Sequence, residues 1–353
     1  MKVDDPCMAD NPCQARNYFL ACYAVSLIQG QTILGKTVRS RTVANYLKDA
    51  YTLFKNRRIT FLPVLDTDYI QLIIGTLRKY ENVADRRNMI TDGMMHWLLR
   101  ETSKRPQDNE LSSIMDWVVL GRYTGFRKSE WCQSSQSTYE SIKEWPGKPP
   151  LAFIITDITY LDKNERRLPR GANQRDIHYV RLVWRKQKND ENGEAITFAR
   201  DTDNPSFCPV LATIRIIERA TRLRVPAHEP IAVFKHKNGK RRFITDTLVS
   251  TYFCLAATAV LGIKKGDKDL QLWSTHSIRV TAANLLHRER FADSFIMKRL
   301  RWRSLAFMDY LRNTIYAAEQ HACLKISDSN LPPLVERSYR IDEPHEAVVA
   351  AAA

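Results

Sequence analysis

No stretch of this chain is apolar for long enough to span a bilayer, and its N-terminus lacks the basic-then-apolar pattern of a secretion signal. We therefore expect a protein in solution inside the cell, with no membrane partner: nuclear in a eukaryotic host, cytoplasmic or nucleoid-bound in a prokaryote. The seven cysteines (7, 13, 22, 132, 208, 254 and 323) include no Cys-x-x-Cys pair and no framework spacing. An odd, scattered set reads as reduced thiols rather than disulfides. Cys7 and Cys13 have no second Cys or His pair at ligand spacing, so a zinc site is not expected. No internal repeat is present. Acidic charge is the remaining shortage, with 39 Asp and Glu against 54 Lys and Arg and a formal net charge of +15. Residues 1–105 carry 16 basic and 10 acidic residues, so the excess runs along the chain and is not confined to a tail. Either the basic surface is merely solvated or it meets a polyanion, and nucleic acid is the natural one.

The 353 residues suffice for two domains, and 44% hydrophobic with 26% charged residues is an ordinary globular composition. Residues 1–16 read as a loose lead-in. Residues 17–100 carry helical spacing in four stretches: Tyr18–Ile28, Thr37–Phe54, Asp68–Lys79 and Asp85–Arg100. Around the second of these, Arg39, Arg41, Lys48, Lys55, Arg57 and Arg58 surround an apolar stripe. That pattern suits either a solvated face or a helix that contacts a phosphate backbone. Residues 101–109, polar and broken by Pro106, read as a linker. A second domain is expected over 110–326, and 327–353 as a disordered tail.

Within the second domain a helix is expected from Glu110 to Arg122, closed near Gly125. Leu151–Tyr160, His178–Arg185 and Ala195–Ala199 are rich in β-branched and aromatic residues and predict a small antiparallel sheet. The last two flank a hairpin tip bearing Lys186 and Lys188. Helices follow over Val210–Thr221, Asp246–Leu261 and from His276. Between the first two lies a basic turn, read as a solvated hairpin, whose Lys237, Lys240 and Arg241 are, with Lys186, further candidates for contact with a nucleic-acid backbone. The expected fold class is mainly α with a small antiparallel β-sheet (α+β), a helical first domain preceding a mixed second one.

The chemistry-bearing residues fall in separated boxes. In Thr275-His-Ser-Ile-Arg279, His276 and Arg279 stand one helical turn apart on one face. Ser274 or Thr275 serves as N-cap, and the free N–H groups of the helix start suit a phosphate. Upstream lies Thr124-Gly-Phe-Arg127-Lys-Ser-Glu130, and downstream Trp302 and Tyr310 in a basic setting. In order and near-spacing these boxes resemble the motifs of the tyrosine recombinases, the phage-integrase superfamily, over roughly residues 111–325. The wording Leu-Arg-Trp-Arg-Ser…Tyr-Leu-Arg-Asn is most similar to recombinases of eukaryotic mobile elements, DIRS-like retrotransposons and cryptons.

The resemblance implies a site-specific recombinase or integrase acting on double-stranded DNA. It also implies a 3′-phosphotyrosine intermediate and a homo-tetramer docked through the helix after Tyr310. Strand transesterification needs a nucleophile, charge stabilisation at phosphorus and a proton for the leaving oxygen. Tyr310 is the expected nucleophile, with Tyr316 as rival. Arg127 and Arg279 can each hold phosphate oxygens with paired donors. His276 adds a donor or a proton path, and Trp302 one indole N–H. The family places its general acid on a β-hairpin lysine, which makes Lys188 the candidate and Lys186 the alternative. Glu130, one turn beyond Arg127, is expected to fix that arginine. No cofactor is expected and no metal is called for, since the arginines carry the positive charge. Two departures stand out. Arg301 precedes Trp302 where the family usually has glycine, and Tyr310 follows Trp302 by one residue fewer than in well-known members. A type IB topoisomerase-like enzyme and a domesticated, non-cleaving DNA-binding protein are the competing expectations.

Overall fold

The computed structural model describes residues 13–32, 35, 37–56, 68–81, 86–133, 151–185, 187, 192–304, 307–308 and 311. The chain divides into two compact units, Met1–Asp85 and Arg86–Ala353. The fold is mainly helical with a small antiparallel β component, the expected class.

The first unit holds α1 (Cys13–Ile28), α2 (Ser40–Asn56) and α3 (Asp68–Tyr80). Leu20, Ala24 and Leu27 of α1 and Val43, Leu47 and Phe54 of α2 recur at helical spacing and share a core with Ile70 and Ile74 of α3. The start of α2 is tied to the chain just past α3, where Glu81 accepts the Ser40 hydroxyl at 3.0 Å. Burying that apolar stripe turns Arg39, Arg41, Lys48 and Lys55 outward, and all four are exposed. Arg57 and Arg58 lie outside the described residues, as do most of the lead-in and the whole 327–353 tail. Residues 13–16, read as lead-in, are the first turn of α1.

The second unit is organised on α5 (Glu110–Thr124). Every residue from Leu111 to Gly121 is buried, because helices close around it on several sides. It packs on α4 (Asp92–Ser103), α7 (Pro209–Arg222) and α9 (His276–Arg288). This corrects the expected domain boundary. Residues 101–103 finish α4, whose Met94, Met95 and Leu98 enter the same core as Leu111 and Ile114 of α5. The residues between these helices are thus a connection inside one unit, and the division falls at Asp85/Arg86. Proline and polarity there mark a turn, a signal that a linker and an interhelical loop share. Asn109 caps α5 by accepting from Ser112 N–H at 2.9 Å.

At the crossing of α5 and α9, a Cβ on Gly121 would stand 2.4 Å from Ile278 Cγ2. Gly121→Ala is therefore expected to destabilise by about 1–3 kcal/mol through overpacking, against the usual helix gain of alanine. A urea melt of the full chain checks this; unchanged stability would mean that the crossing relaxes freely.

The sheet runs in the order β2-β1-β3-β4, all antiparallel, from β1 (Ile158–Leu161), β2 (Arg167–Leu168), β3 (Tyr179–Trp184) and β4 (Glu194–Ala199). The first strand is shorter than expected, since residues 151–157 form an irregular entry closed by a 3₁₀ turn at Ile155–Asp157. Asp157 is held there by Arg185 Nε at 2.6 Å and Ile154 N–H at 2.8 Å. A two-stranded hairpin, β5 (Val233–Lys235) and β6 (Arg241–Phe243), precedes α8 (Asp246–Leu261), as expected for the basic turn. The short α6 (Lys128–Trp131) and α10 (Asp293–Arg299) complete the unit.

Among the described residues Cys22, Cys132, Cys208 and Cys254 are free thiols. Among the same residues, no helix is long and apolar enough to cross a membrane and no group of metal-ligating side chains assembles.

Candidate active site

Helix α5 ends where Gly125 takes a left-handed φ of 56°. A Cβ there would lie 2.9 Å from Leu300 Cδ2, so glycine serves both the backbone and the close approach. The chain then buries Phe126 and reaches Arg127, the N-cap of α6, in an extended conformation. Glu130 folds back over this short helix. Its Oε2 accepts the Arg127 backbone N–H at 3.0 Å, and its Oε1 accepts Arg127 Nη1 at 3.1 Å. The expected pairing of these two residues is present. Glu130 Oε2 also accepts Trp184 Nε1 at 3.2 Å and Arg301 Nη2 at 2.8 Å. A carboxylate only 4% exposed requires such donors, because burying it unpaired would be costly. Trp184 reaches it because β3 ends inside an aromatic cluster, where Phe153 meets Trp184 edge-on at 5.3 Å and Trp117 stacks on Trp131 at 5.5 Å.

Arg279 approaches the same place from α9. Its Nη1 donates to Gly125 O at 2.6 Å and its Nη2 to Leu300 O at 3.0 Å. The guanidinium lies 4.6 Å from the centroid of the Trp302 ring, within cation–π reach. Arg127 Nη2 donates to the next carbonyl, Arg301 O, at 3.2 Å. Two arginines from distant parts of the chain thus end on consecutive carbonyls beside Trp302. His276, half-buried, opens α9 one turn before Arg279. Ser274 rather than Thr275 caps that helix, its Oγ accepting His276 N–H at 3.3 Å, while Thr275 sits in helical backbone without a capping bond.

A cleft of about 490 Å³ borders these residues, lined by Asn192, Gly193 and Glu194 at the end of the β3–β4 hairpin, Met297 and Lys298 of α10, and Arg301 and Trp302. Lys186 and Lys188, between β3 and β4 in sequence, lie outside the described residues. So does Tyr310, with the residues from 312 onward. The chain on either side of Tyr310 is placed: Phe307 is fully buried with Ala282, Ala283 and Leu300, and Leu311 packs against the same cluster.

Of the other candidates, Lys237 and Lys240 are exposed on the β5–β6 hairpin. Arg241 is turned inward, with Nη2 on Glu229 at 2.6 Å and Nη1 on Arg224 O at 3.0 Å. Sequence reading missed two members of the cluster. Trp184 shows only as a strand-end aromatic. Arg301 shows only as an unexpected residue, although it is 1% exposed and its guanidinium lies 3.9 Å from the Trp184 ring centroid. Burial pushes the Arg301 guanidinium below its usual range, and Glu130 beside it acts in the opposite sense. Arg299, also lowered by burial, lies 4.2 Å from the Phe198 ring centroid and joins α10 to β4 through Thr197 O at 3.2 Å.

No protein-family model matches the chain, and no curated protein matches it. Among solved structures it is similar to the Tn1549 transposon integrase in complex with circular intermediate DNA, at 12% identity and a TM-score of 0.42, covering 88% of this chain and 85% of that one. It is similar to a lambda integrase dimer bound to a COC′ core site, at 14% identity and a TM-score of 0.44, covering 88% and 83%. It is also similar to the XerH site-specific recombinase bound to a difH substrate, at 14% identity and a TM-score of 0.40, covering 92% and 98%. The chemistry of the site rests on its own geometry.

Proposed function

We propose that this protein is a site-specific DNA recombinase or integrase that cleaves and rejoins duplex DNA through a covalent 3′-phosphotyrosine on Tyr310. The observation that carries the reading is the meeting of Arg127 and Arg279 on the Leu300 and Arg301 carbonyls beside Trp302. Two planar guanidiniums at one spot suit the two non-bridging oxygens of a phosphodiester, and their charge stabilises the five-coordinate transition state. They also favour the phenolate of a tyrosine delivered there, whose ordinary pKa is near 10.

The Tyr310 oxygen attacks phosphorus and the bond to the 5′ oxygen breaks. Lys188, with Lys186 as the alternative, protonates that oxygen from the β3–β4 hairpin. His276 and the Trp302 indole N–H donate to the phosphate, and His276 also offers a path for the phenol proton. A 5′-hydroxyl of a second strand then attacks the phosphotyrosine, which reverses the bond changes and releases Tyr310. The anchoring of Phe307 and Leu311 on the small core that α9 shares supports this placement of Tyr310. Exposed Arg39, Arg41, Lys48 and Lys55, with Arg57 and Arg58, supply phosphate contacts from the first unit, and Lys237 and Lys240 from the second. The residues after Tyr310 dock protomers into a tetramer on DNA.

The test is a nicked suicide duplex from the DNA flanking the gene, incubated without added metal and run on a denaturing gel. Wild-type protein is expected to give a covalent protein–DNA band and Tyr310→Phe none, with duplex binding retained in a shift assay. A band that persists in the variant would transfer the nucleophile role, first to Tyr316. Binding without any band in the wild type would leave a non-cleaving DNA-binding protein. Plasmid relaxation without two-plasmid recombination would indicate a topoisomerase.

A further inference from the structure

We propose that Arg301 is a positioning residue that sets the Arg127 guanidinium for phosphate, an inference that rests on the strand-transfer reading above. Arg301 holds a left-handed backbone, φ 58°, as the residue that follows the C-cap Leu300 of α10, a place where helices commonly turn this way and where glycine is the usual occupant. Its contacts are specific. Nη1 donates to Thr124 O at 3.1 Å, Nη2 to Glu130 Oε2 at 2.8 Å, and the guanidinium plane covers the Trp184 ring. The side chain is wholly buried, so it does not act as a solvent-facing phosphate ligand.

Its partners explain what it does. Glu130 Oε1 takes Arg127 Nη1 while Oε2 takes Arg301 Nη2, so one carboxylate spans both guanidiniums. The Arg301 carbonyl in turn accepts Arg127 Nη2 at 3.2 Å. Arg127 is therefore gripped at both terminal nitrogens, by a carboxylate that Arg301 holds and by the Arg301 backbone itself. The left-handed turn is what allows one residue to do both, directing its carbonyl to Arg127 and its side chain to Glu130. The Thr124 bond fastens this arrangement to the end of α5. Without the Arg301 side chain, Glu130 keeps only Trp184 and Arg127 itself as donors, and the grip on Arg127 loosens.

The test compares wild-type protein with Arg301→Gly, Arg301→Lys, Glu130→Gln and the Arg301→Gly/Glu130→Gln double variant. Glycine suits the backbone angle and removes only the side chain, and a urea melt of each variant separates loss of folding from loss of positioning. Three quantities are read on the full chain: duplex affinity, single-turnover rate of covalent complex formation, and the ¹⁵Nε–Hε resonance of Arg127, assigned with Arg127→Lys. For Arg301→Gly we expect affinity within about threefold of wild type, cleavage slower by about a hundredfold, and an Arg127 resonance shifted toward the solvent-averaged position. Lysine should recover little, because one ammonium cannot reach both Thr124 O and Glu130 in the fork geometry. The double variant should be scarcely slower than Glu130→Gln alone, since both changes break one chain of contacts.

Wild-type cleavage and an unmoved Arg127 resonance in Arg301→Gly would overturn the proposal. So would affinity, folding and cleavage falling in parallel, which would make Arg301 structural only. If the wild type forms no covalent complex while the Arg127 resonance still responds to Arg301→Gly, the strand-transfer reading fails and the positioning contact stands.

Discussion

Glu130→Ala is expected to cost roughly 3–5 kcal/mol of stability in the second unit, the range for removing one partner of a buried ion pair. Glu130 faces Arg301, whose side chain is fully buried, and Arg127, whose side chain keeps about a fifth of its surface in solvent (21%). Deleting the carboxylate leaves the Arg301 charge inside the protein next to a second positive charge. It also removes the acceptors of the Arg127 backbone N–H and the Trp184 indole N–H. Those donors are then left to whatever water can enter, at a further cost of the order of 1 kcal/mol each. Chemical denaturation of the full chain, followed by tryptophan fluorescence, is the measurement. A loss below about 1 kcal/mol would mean that the cluster is open to water and that Glu130 is an ordinary surface ligand.

Arg279→Lys is expected to slow covalent complex formation about 10²–10³-fold while duplex affinity changes little. The magnitude is that of removing one preorganised donor from a developing anion. Lysine keeps the charge, but a single ammonium cannot donate to Gly125 O and Leu300 O and also present a fork to phosphate. Alanine would be a poorer test, because it strands two buried carbonyls and mixes a folding defect with the chemical one. Single-turnover cleavage of the nicked duplex separates the two effects. A lysine variant that cleaves at the wild-type rate would show Arg279 to be a scaffold for the turn at Gly125 and Leu300 and no more.

The elements with strong periodicity were legible from the chain. Helix α8 spans Asp246–Leu261, the expected limits, because Thr245 and Gly262 punctuate it at both ends. The left-handed Gly125 was likewise marked by its place after an apolar helix. Legibility failed where one local signal serves two structures. The polar, proline-bearing 101–109 stretch looks alike as a linker or as a loop between packed helices, and only the shared core of α4 and α5 decides. Residues 151–157 have strand-like composition but pair only through one isolated bridge, Ile154 with Pro230, before the 3₁₀ turn at Ile155–Asp157.

For the site, residue types in order pointed to Arg127, Glu130, Arg279 and Trp302, and the structure brings those four together. Short-range pairs such as Arg127 with Glu130 follow from the geometry of a helix start, where the N-cap and the third helical residue meet, so spacing is enough to find them. Arg301 meets Glu130 across 171 residues of sequence, and Trp184 does so across 54, separations at which no periodicity operates. Sequence by itself determined the helical class and the basic character, and it offered Arg127, Glu130, Arg279 and Trp302 as candidates, because these depend on composition, residue type and neighbours within a turn. Tertiary structure alone decided where the units divide, that Arg241 turns inward to Glu229, and that Arg301 shares a buried carboxylate with Arg127. Each of these depends on which distant surfaces exclude water together, a property of the packed chain and not of any segment.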